Sequence, residues 1–132
     1  MWYIYIVRAF KYTKFSKYAK KEGISDDDLW GVVDQLEEDQ ADANLGGDVF
    51  KVRIARKGEG KSGGHRAIIF FKSKNRTFFV YCFPKSERSN ISDKELRAHK
   101  LDAKKRFLLT DEQINARIKE GIFIEIFRKE KK

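Results

Sequence analysis

The chain has 132 residues, with 29 Lys and Arg against 20 Asp and Glu, a formal net charge of +9 and a pI near 9.6. This length suits one domain, over residues 1–132, and the charge predicts an anionic partner such as nucleic acid. The single cysteine, Cys82, excludes an intrachain disulfide, and we expect no metal and no cofactor. We find no apolar run as long as a membrane span and no signal-peptide pattern, so we expect no membrane partner and a reducing, cytoplasmic setting.

The N-terminal third predicts a strand followed by two helices. Residues 2–7 are aromatic and β-branched, which is typical of a strand. A first helix is predicted over residues 10–21, with Gly23 as its stop. Ser25 and Asp28 form a capping box for a second helix that ends before residues 44–47. Its apolar stripe consists of Leu29, Val32, Val33 and Leu36.

Charge is segregated along the chain. Residues 25–50 hold nine acids and no Lys or Arg, so the remainder carries +18. Two interpretations stay open, and both can hold. The acidic segment turns away from a nucleic-acid partner, or it pairs with the lysines of the preceding helix. Those lysines are Lys11, Lys14, Lys17, Lys20 and Lys21.

The middle of the chain predicts three strands, over residues 49–55, 66–72 and 77–83. The turns between them fall at residues 58–64 and 74–76. Connections this short cannot hold crossover helices, so we expect an antiparallel meander.

Two capping boxes predict two further helices. Ser92 with Glu95 precedes a basic helix, and Thr110 with Gln113 precedes a shorter one that ends near Gly121. The segment GIFIEIF then has the alternation of a last strand. Together the elements predict one α+β unit.

The segment ARKGEGKS at residues 55–62 fits the loose form of the phosphate-binding loop of nucleotide hydrolases. That loop works by opening a helix, whereas here Gly63, Gly64 and the strand-like HRAIIFF follow. The pattern therefore disfavours nucleotide hydrolysis. It favours a glycine-rich hairpin whose amides and Lys61 approach a phosphate.

The series GGDVFKVRIARKGEGKSGGHRAIIFF, the segment FFVYCFPKSERSNIS and the helix with Glu95 and Leu96 together resemble toxins of the RelE/HigB superfamily of type II toxin–antitoxin systems, in particular the phage-protein-like HigB branch. The resemblance covers residues 45–126. It implies a fold similar to small microbial ribonucleases: an antiparallel sheet with two N-terminal helices on one face, the other face open, and here C-terminal helices and a last strand. It implies cleavage of mRNA, usually on the ribosome, and silencing by an antitoxin that often carries a helix-turn-helix.

Metal-free RNA cleavage needs cations for the phosphate, a proton acceptor and a proton donor. The resemblance places Arg66 at the start of a central strand, facing the open side, and we expect Lys85 alongside it as a second catalytic cation. His65 stands where the family leads us to expect an aromatic residue. It either packs as a ring or transfers a proton. We expect RNA binding by five further cations: Lys51, Arg53, Arg56, Lys57 and Lys61.

Two further pairs of alternatives stay open. Tyr81 or Phe83 either stacks a base or packs in the core, and Glu87 either exchanges a proton or pairs with Arg88. Two rival functions also remain: a ParE-like inhibitor of DNA gyrase, and a nucleic-acid-binding module without catalysis. RNA fragments with 2′,3′-cyclic phosphate ends would separate both rivals from a ribonuclease.

Overall fold

The computed structural model describes residues 7–56, 60–88 and 90–128, with residues 56 and 60–63 described for their backbone only. Strands and helices are grouped along the chain, as expected of an α+β protein. In chain order they are β1 (Ala9–Tyr12), α1 (Thr13–Glu22), α2 (Asp26–Glu37), β2 (Ala43–Gly46), β3 (Val49–Arg56), β4 (Gly60–Phe71), β5 (Thr77–Pro84), α3 (Asp93–Phe107), α4 (Asp111–Lys119) and β6 (Phe123–Ile126).

The described strands form one mostly antiparallel sheet in the order β2-β3-β4-β5-β1-β6. The predicted meander of β3, β4 and β5 is confirmed. β1 lies parallel to β5, with Ala9 opposite Thr77, and β6 runs antiparallel to β1. Arg53 and Arg66 therefore lie on two interior strands of the sheet, and Arg66 is near the middle of β4 rather than at the start of its strand as expected, because β4 begins at Gly60.

Each face of the sheet buries its own apolar core. On the first face, α1 and α2 pack Phe15 and Leu29 against strand residues such as Ile69. On the second face, α3 and α4 pack Ala103 and Ile114 against a second set: Phe10, Ile68, Phe70 and Phe78. The two N-terminal helices thus lie on one face as predicted. The expectation that the other face is open was wrong, because apolar residues of α3 and α4 cover part of that face.

Several boundaries differ from the predictions. The strand predicted over residues 2–7 lies outside the described residues except for Val7, and the first described strand begins at Ala9. The helix predicted from residue 10 begins at Thr13, because residues 9–12 pair with β5 and β6. The short strand β2 was not predicted at all.

The predicted glycine turn at residues 58–64 is also shorter than expected. β4 begins at Gly60, whose Cα pairs with Arg56 of β3, and the N–H of Lys85 donates to the carbonyl of Gly64 at 3.1 Å. Backbone pairing makes these glycines a strand, although they supply no side-chain alternation that a sequence pattern could show.

All three predicted capping boxes are confirmed. Ser25, Ser92 and Thr110 each accept a hydrogen bond from the backbone N–H three residues on, and the side chain at that position bonds back. These bonds satisfy N–H groups that have no partner within the helix. Within the described ranges, no helix combines the length and apolar character needed to cross a bilayer.

Candidate active site

Cationic side chains of β3 and β4 project side by side from one face of the sheet. Arg53 and Arg66 are direct cross-strand partners, and Lys51 lies two residues from Arg53, opposite Ile68. Because side chains alternate along a strand, all three face the side on which α3 and α4 pack. The structure therefore brings Lys51, Arg53 and Arg66 together, as the sequence predicted.

Arg66 combines burial with an unused donor. Its side chain is only 5% exposed, and its Nη1 atom has no hydrogen-bond partner among the described residues. A charged group removed from water without a partner costs free energy, so buried donors of this kind are rare. An anion that accepts from Arg66 would remove that cost, and a phosphate oxygen fits the guanidinium fork.

Arg53 has a carboxylate neighbour from the acidic segment. Its backbone N–H donates to Asp42 Oδ2 at 2.5 Å, and its Nε lies 3.7 Å from Asp42 Oδ1. The Arg53 side chain is about half exposed, so this ion pair is worth little in water and leaves the guanidinium accessible. Asp42 therefore pairs with Arg53 at the edge of the site and does not neutralise Arg66.

Lys85 lies at the same end of the sheet but not directly opposite Arg66. The register places Phe83 opposite Arg66 and Pro84 opposite His65, with Lys85 next to Gly64. Lys85 is exposed in the turn that follows β5. Its backbone is thus one strand away from Arg66 and two residues further along.

His65 is on the opposite face from Arg66, because the two residues are consecutive in β4. It is 1% exposed, and its Nδ1 lies 2.5 Å from the hydroxyl of Tyr18 on α1. The two rings meet edge to face at 5.3 Å. This position suits the packing role, and a proton-transfer role for His65 stays a prediction that mutation must test.

Three predicted RNA contacts cannot be placed by their side chains. Arg56 and Lys61 belong to the paired ends of β3 and β4, where the backbone alone is described, and Lys57 lies outside the described residues. Their role in RNA binding stays a prediction from the sequence.

The carboxylate partner of Arg88 is Glu95, not the predicted Glu87. Arg88 donates to both oxygens of Glu95, at 2.6 and 3.2 Å, and its guanidinium lies 5.4 Å above the ring of Phe83. The Arg88 bond and the Ser92 amide hold the pKa of Glu95 at about 2. Through these contacts Arg88 links the first turn of α3 to Phe83, which is the cross-strand neighbour of Arg66.

A cleft that sequence reasoning missed adjoins this end of the sheet. It has a volume of about 460 Å³, and among its lining residues are Tyr81 of β5 and Glu95, His99 and Asp102 of α3. His99 stacks on Tyr81 with ring centroids 6.5 Å apart, and Tyr81 contacts Phe83. Burial lowers the pKa of His99, against the opposing effect of Asp102 and Glu95.

Two signals mark this cleft. Glu95, His99 and Asp102 follow a spacing of four and three residues, which places them on one side of a helix and was visible in the sequence. The other signal is a bulge in β5 that shifts the register between Ile68 opposite Tyr81 and Ile69 opposite Phe79. Such a bulge re-aims side chains, and it depends on pairing that a sequence does not show.

Comparison with known proteins adds one positive result. The family model described as the RelE toxin of the RelE/RelB toxin–antitoxin system matches residues 7–126. No curated protein matches the chain. The sheet and four helices are compatible with a RelE-like fold, and the HigB branch stays a prediction. Because the match spans nearly the whole chain, the protein belongs to the RelE toxin family of toxin–antitoxin systems.

Proposed function

We propose that this toxin is a metal-independent endoribonuclease that cleaves mRNA. The observation that carries the proposal is Arg66, a buried guanidinium with an unused donor, beside the directly opposed Arg53. A surface of this kind is complementary to a phosphate group whose charge grows in the transition state. The family match supports the proposal, since toxins of the RelE family are generally ribonucleases.

In the proposed reaction the ribose 2′-oxygen attacks the adjacent phosphorus and the bond from phosphorus to the 5′-oxygen breaks. The proton of the 2′-hydroxyl goes to a base, and the departing 5′-oxygen takes up a proton. The products are a 2′,3′-cyclic phosphate and a 5′-hydroxyl. Arg66 stabilises the pentavalent phosphate, with Lys85 as a second cation at the strand end. Lys51, Arg53, Arg56, Lys57 and Lys61 bind neighbouring phosphates.

Two histidines are candidates for the proton acceptor. Of the two histidines, His65 is enclosed on the α1 face, whereas His99 lies on the Arg66 face in contact with Tyr81. Burial lowers the pKa of His99 and so favours its neutral ring, the form that accepts a proton. We therefore place His99 ahead of His65 as the candidate base.

The proposal includes partners that the family implies. The toxin would act on mRNA in the cytoplasm, on the ribosome, and a cognate antitoxin would silence it. The excess of cations on the Arg66 face favours an antitoxin that brings acidic residues or covers this face.

A cleavage assay tests the proposal. Purified toxin would be incubated with EDTA and with mRNA, either free or bound to ribosomes, and the fragment ends would be identified. We expect 2′,3′-cyclic phosphate and 5′-hydroxyl ends from the wild type and from Lys20→Ala on α1, and almost none from Arg66→Ala. Inhibition of DNA gyrase with intact RNA, or RNA binding without cutting, would instead support one of the rival functions.

A further inference from the structure

A second basic cleft lies where β3 begins and β4 ends, several residues along β4 from Arg66. It has a volume of about 440 Å³ and lies between the β2–β3 turn, the end of β4 and α3. Three lysines line it, and Asp48 is the single carboxylate among its described lining residues. The lysines are Lys72, Lys100 and Lys104.

Its charge is largely uncompensated. The Nζ of Lys72 lies 3.8 Å from Asp48 Oδ2, and both side chains are more than 40% exposed, so water screens the pair. Within the described ranges, Lys100 and Lys104 form no ion pair. The cleft therefore presents more than one net positive charge to solvent.

The position of Lys100 depends on a glycine of the β2–β3 turn. A Cβ added at Gly47, where φ is +59°, would lie 2.9 Å from Lys100 Cγ. The glycine thus lets the Lys100 stem lie directly on the β2–β3 turn, in a backbone conformation that disfavours other residues. Beside it, the Nζ of Lys72 lies 5.3 Å from the centre of the Phe107 ring, and Leu108 is 74% exposed.

One face of β3 connects this cleft to the candidate active site. Asp48 stands immediately before β3, Lys51 and Arg53 face the α3 side, and α3 contacts β3. The five residue-to-residue steps from Asp48 to Arg53 span about 17 Å at ~3.3 Å per step. Stacked nucleotides advance about 3.4 Å each along one strand, so the span corresponds to about five nucleotides.

We propose that the cleft of Lys72, Lys100 and Lys104 binds phosphates of the same RNA chain several nucleotides from the cleaved bond. The identity of the ligand rests on the proposed function, while Lys51 and Arg53 on the same face of β3 support its direction. Phe107 and Leu108 offer an apolar surface on which a base can lie. The site contributes affinity without base readout, because lysine acts on phosphate as a point charge.

The test measures binding of RNA that cannot be cut. RNAs of 4 and 12 nucleotides with 2′-O-methyl groups at every position lack the nucleophile, so binding is measured whether or not the protein is a ribonuclease. The variant Lys100→Gln/Lys104→Gln removes two charges and keeps much of each stem. The control Lys20→Gln/Lys21→Gln removes two exposed charges from α1, on the other face of the sheet. Thermal unfolding would establish that both variants fold.

In the wild type and the control, we expect the 12-mer to bind much more tightly than the 4-mer. In the cleft variant this advantage should shrink. The negative slope of log K against log salt for the 12-mer should also decrease in magnitude by about 1.4, since each single-strand phosphate contact contributes about 0.7. An unchanged slope, or an equal loss in the control, would overturn the inference. Unchanged RNA binding with lost antitoxin binding would also overturn it, because the cleft would then be a protein-binding surface.

Discussion

Arg53 and Arg66 are directly opposed on β3 and β4, so their two guanidinium groups project from the same face of the sheet at adjacent positions. Like charges in this arrangement destabilise a sheet. Arg53 is partly compensated by Asp42, whereas Nη1 of Arg66 has no partner among the described residues. The pair is therefore suited to a doubly coordinated anion, and the proposed role in phosphate binding accounts for it.

Replacing Arg66 separates function from stability. We expect Arg66→Ala to reduce RNA cleavage by a factor of roughly 100 to 1,000, because it removes a cation that stabilises the transition state. Arg66→Met keeps an apolar stem and should lose as much activity without a lower melting temperature, since the charge it removes is buried and incompletely paired. A folded Arg66→Ala protein that cleaves RNA as fast as the wild type would contradict the assignment.

Two substitutions of His65 distinguish packing from proton transfer. His65→Phe keeps a ring against Tyr18, and we expect its cleavage rate to stay within a few-fold of the wild type. His65→Ala leaves a cavity at a site that is 1% exposed, and we expect the free energy of unfolding to fall by about 2–4 kcal/mol. Cleavage assays and urea unfolding check the pair. If His65→Phe is as stable as the wild type but inactive, His65 carries a proton.

The Arg88–Glu95 ion pair predicts a pH dependence of stability. The pKa of Glu95 is about 2 in the folded protein, below its ordinary value of 4.5. A depressed pKa gives stability that is fully present above the unfolded pKa and lost as the pH falls through the folded one. The stability advantage of the wild type over Glu95→Gln should therefore be constant above pH 4.5 and shrink toward pH 2.

Urea unfolding across this pH range measures the effect, and Glu87→Gln is its matched control. Glu87 is the exposed neighbour of Arg88 in sequence, yet Arg88 pairs with Glu95. We expect Glu87→Gln to follow the wild-type profile. A flattened profile in Glu87→Gln alone would mean that Arg88 pairs with Glu87 in solution.

The sequence predicts that Lys57 and Lys61 bind RNA. Changing both to Ala should weaken binding to RNA or ribosomes to a similar extent for every sequence, because lysine contacts to phosphate carry no base readout. The salt dependence of binding should also decrease. Titrations over a salt series measure both effects, and an unchanged slope would show that this pair touches no phosphate.

The antitoxin is expected to cover the basic face. Hydrogen exchange of the toxin alone and in its complex should show new protection over residues 51–66 or over α3, since an inhibitor must block the cations or displace the helix beside them. Protection confined to residues 25–50, the acidic segment, would contradict this prediction.

The sequence alone determined most of the local structure. The capping boxes at Ser25, Ser92 and Thr110 identified three helix starts, because a cap is made within four residues. The meander followed from the shortness of its turns. The motif around Arg66 indicates the RelE family, and the family match over residues 7–126 confirms it.

Tertiary structure alone decided which side chains meet. The parallel insertion of β1 beside β5, the packing of α3 and α4 on the second face and the bulge at Tyr81 all depend on contacts between distant parts of the chain. Strand alternation already puts His65 and Arg66 on opposite faces, but only such contacts give them their different neighbours, and they pair Arg88 with Glu95 instead of Glu87. A sequence pattern shows which residues share a face, but burial, register and ion-pair partners depend on what packs against that face.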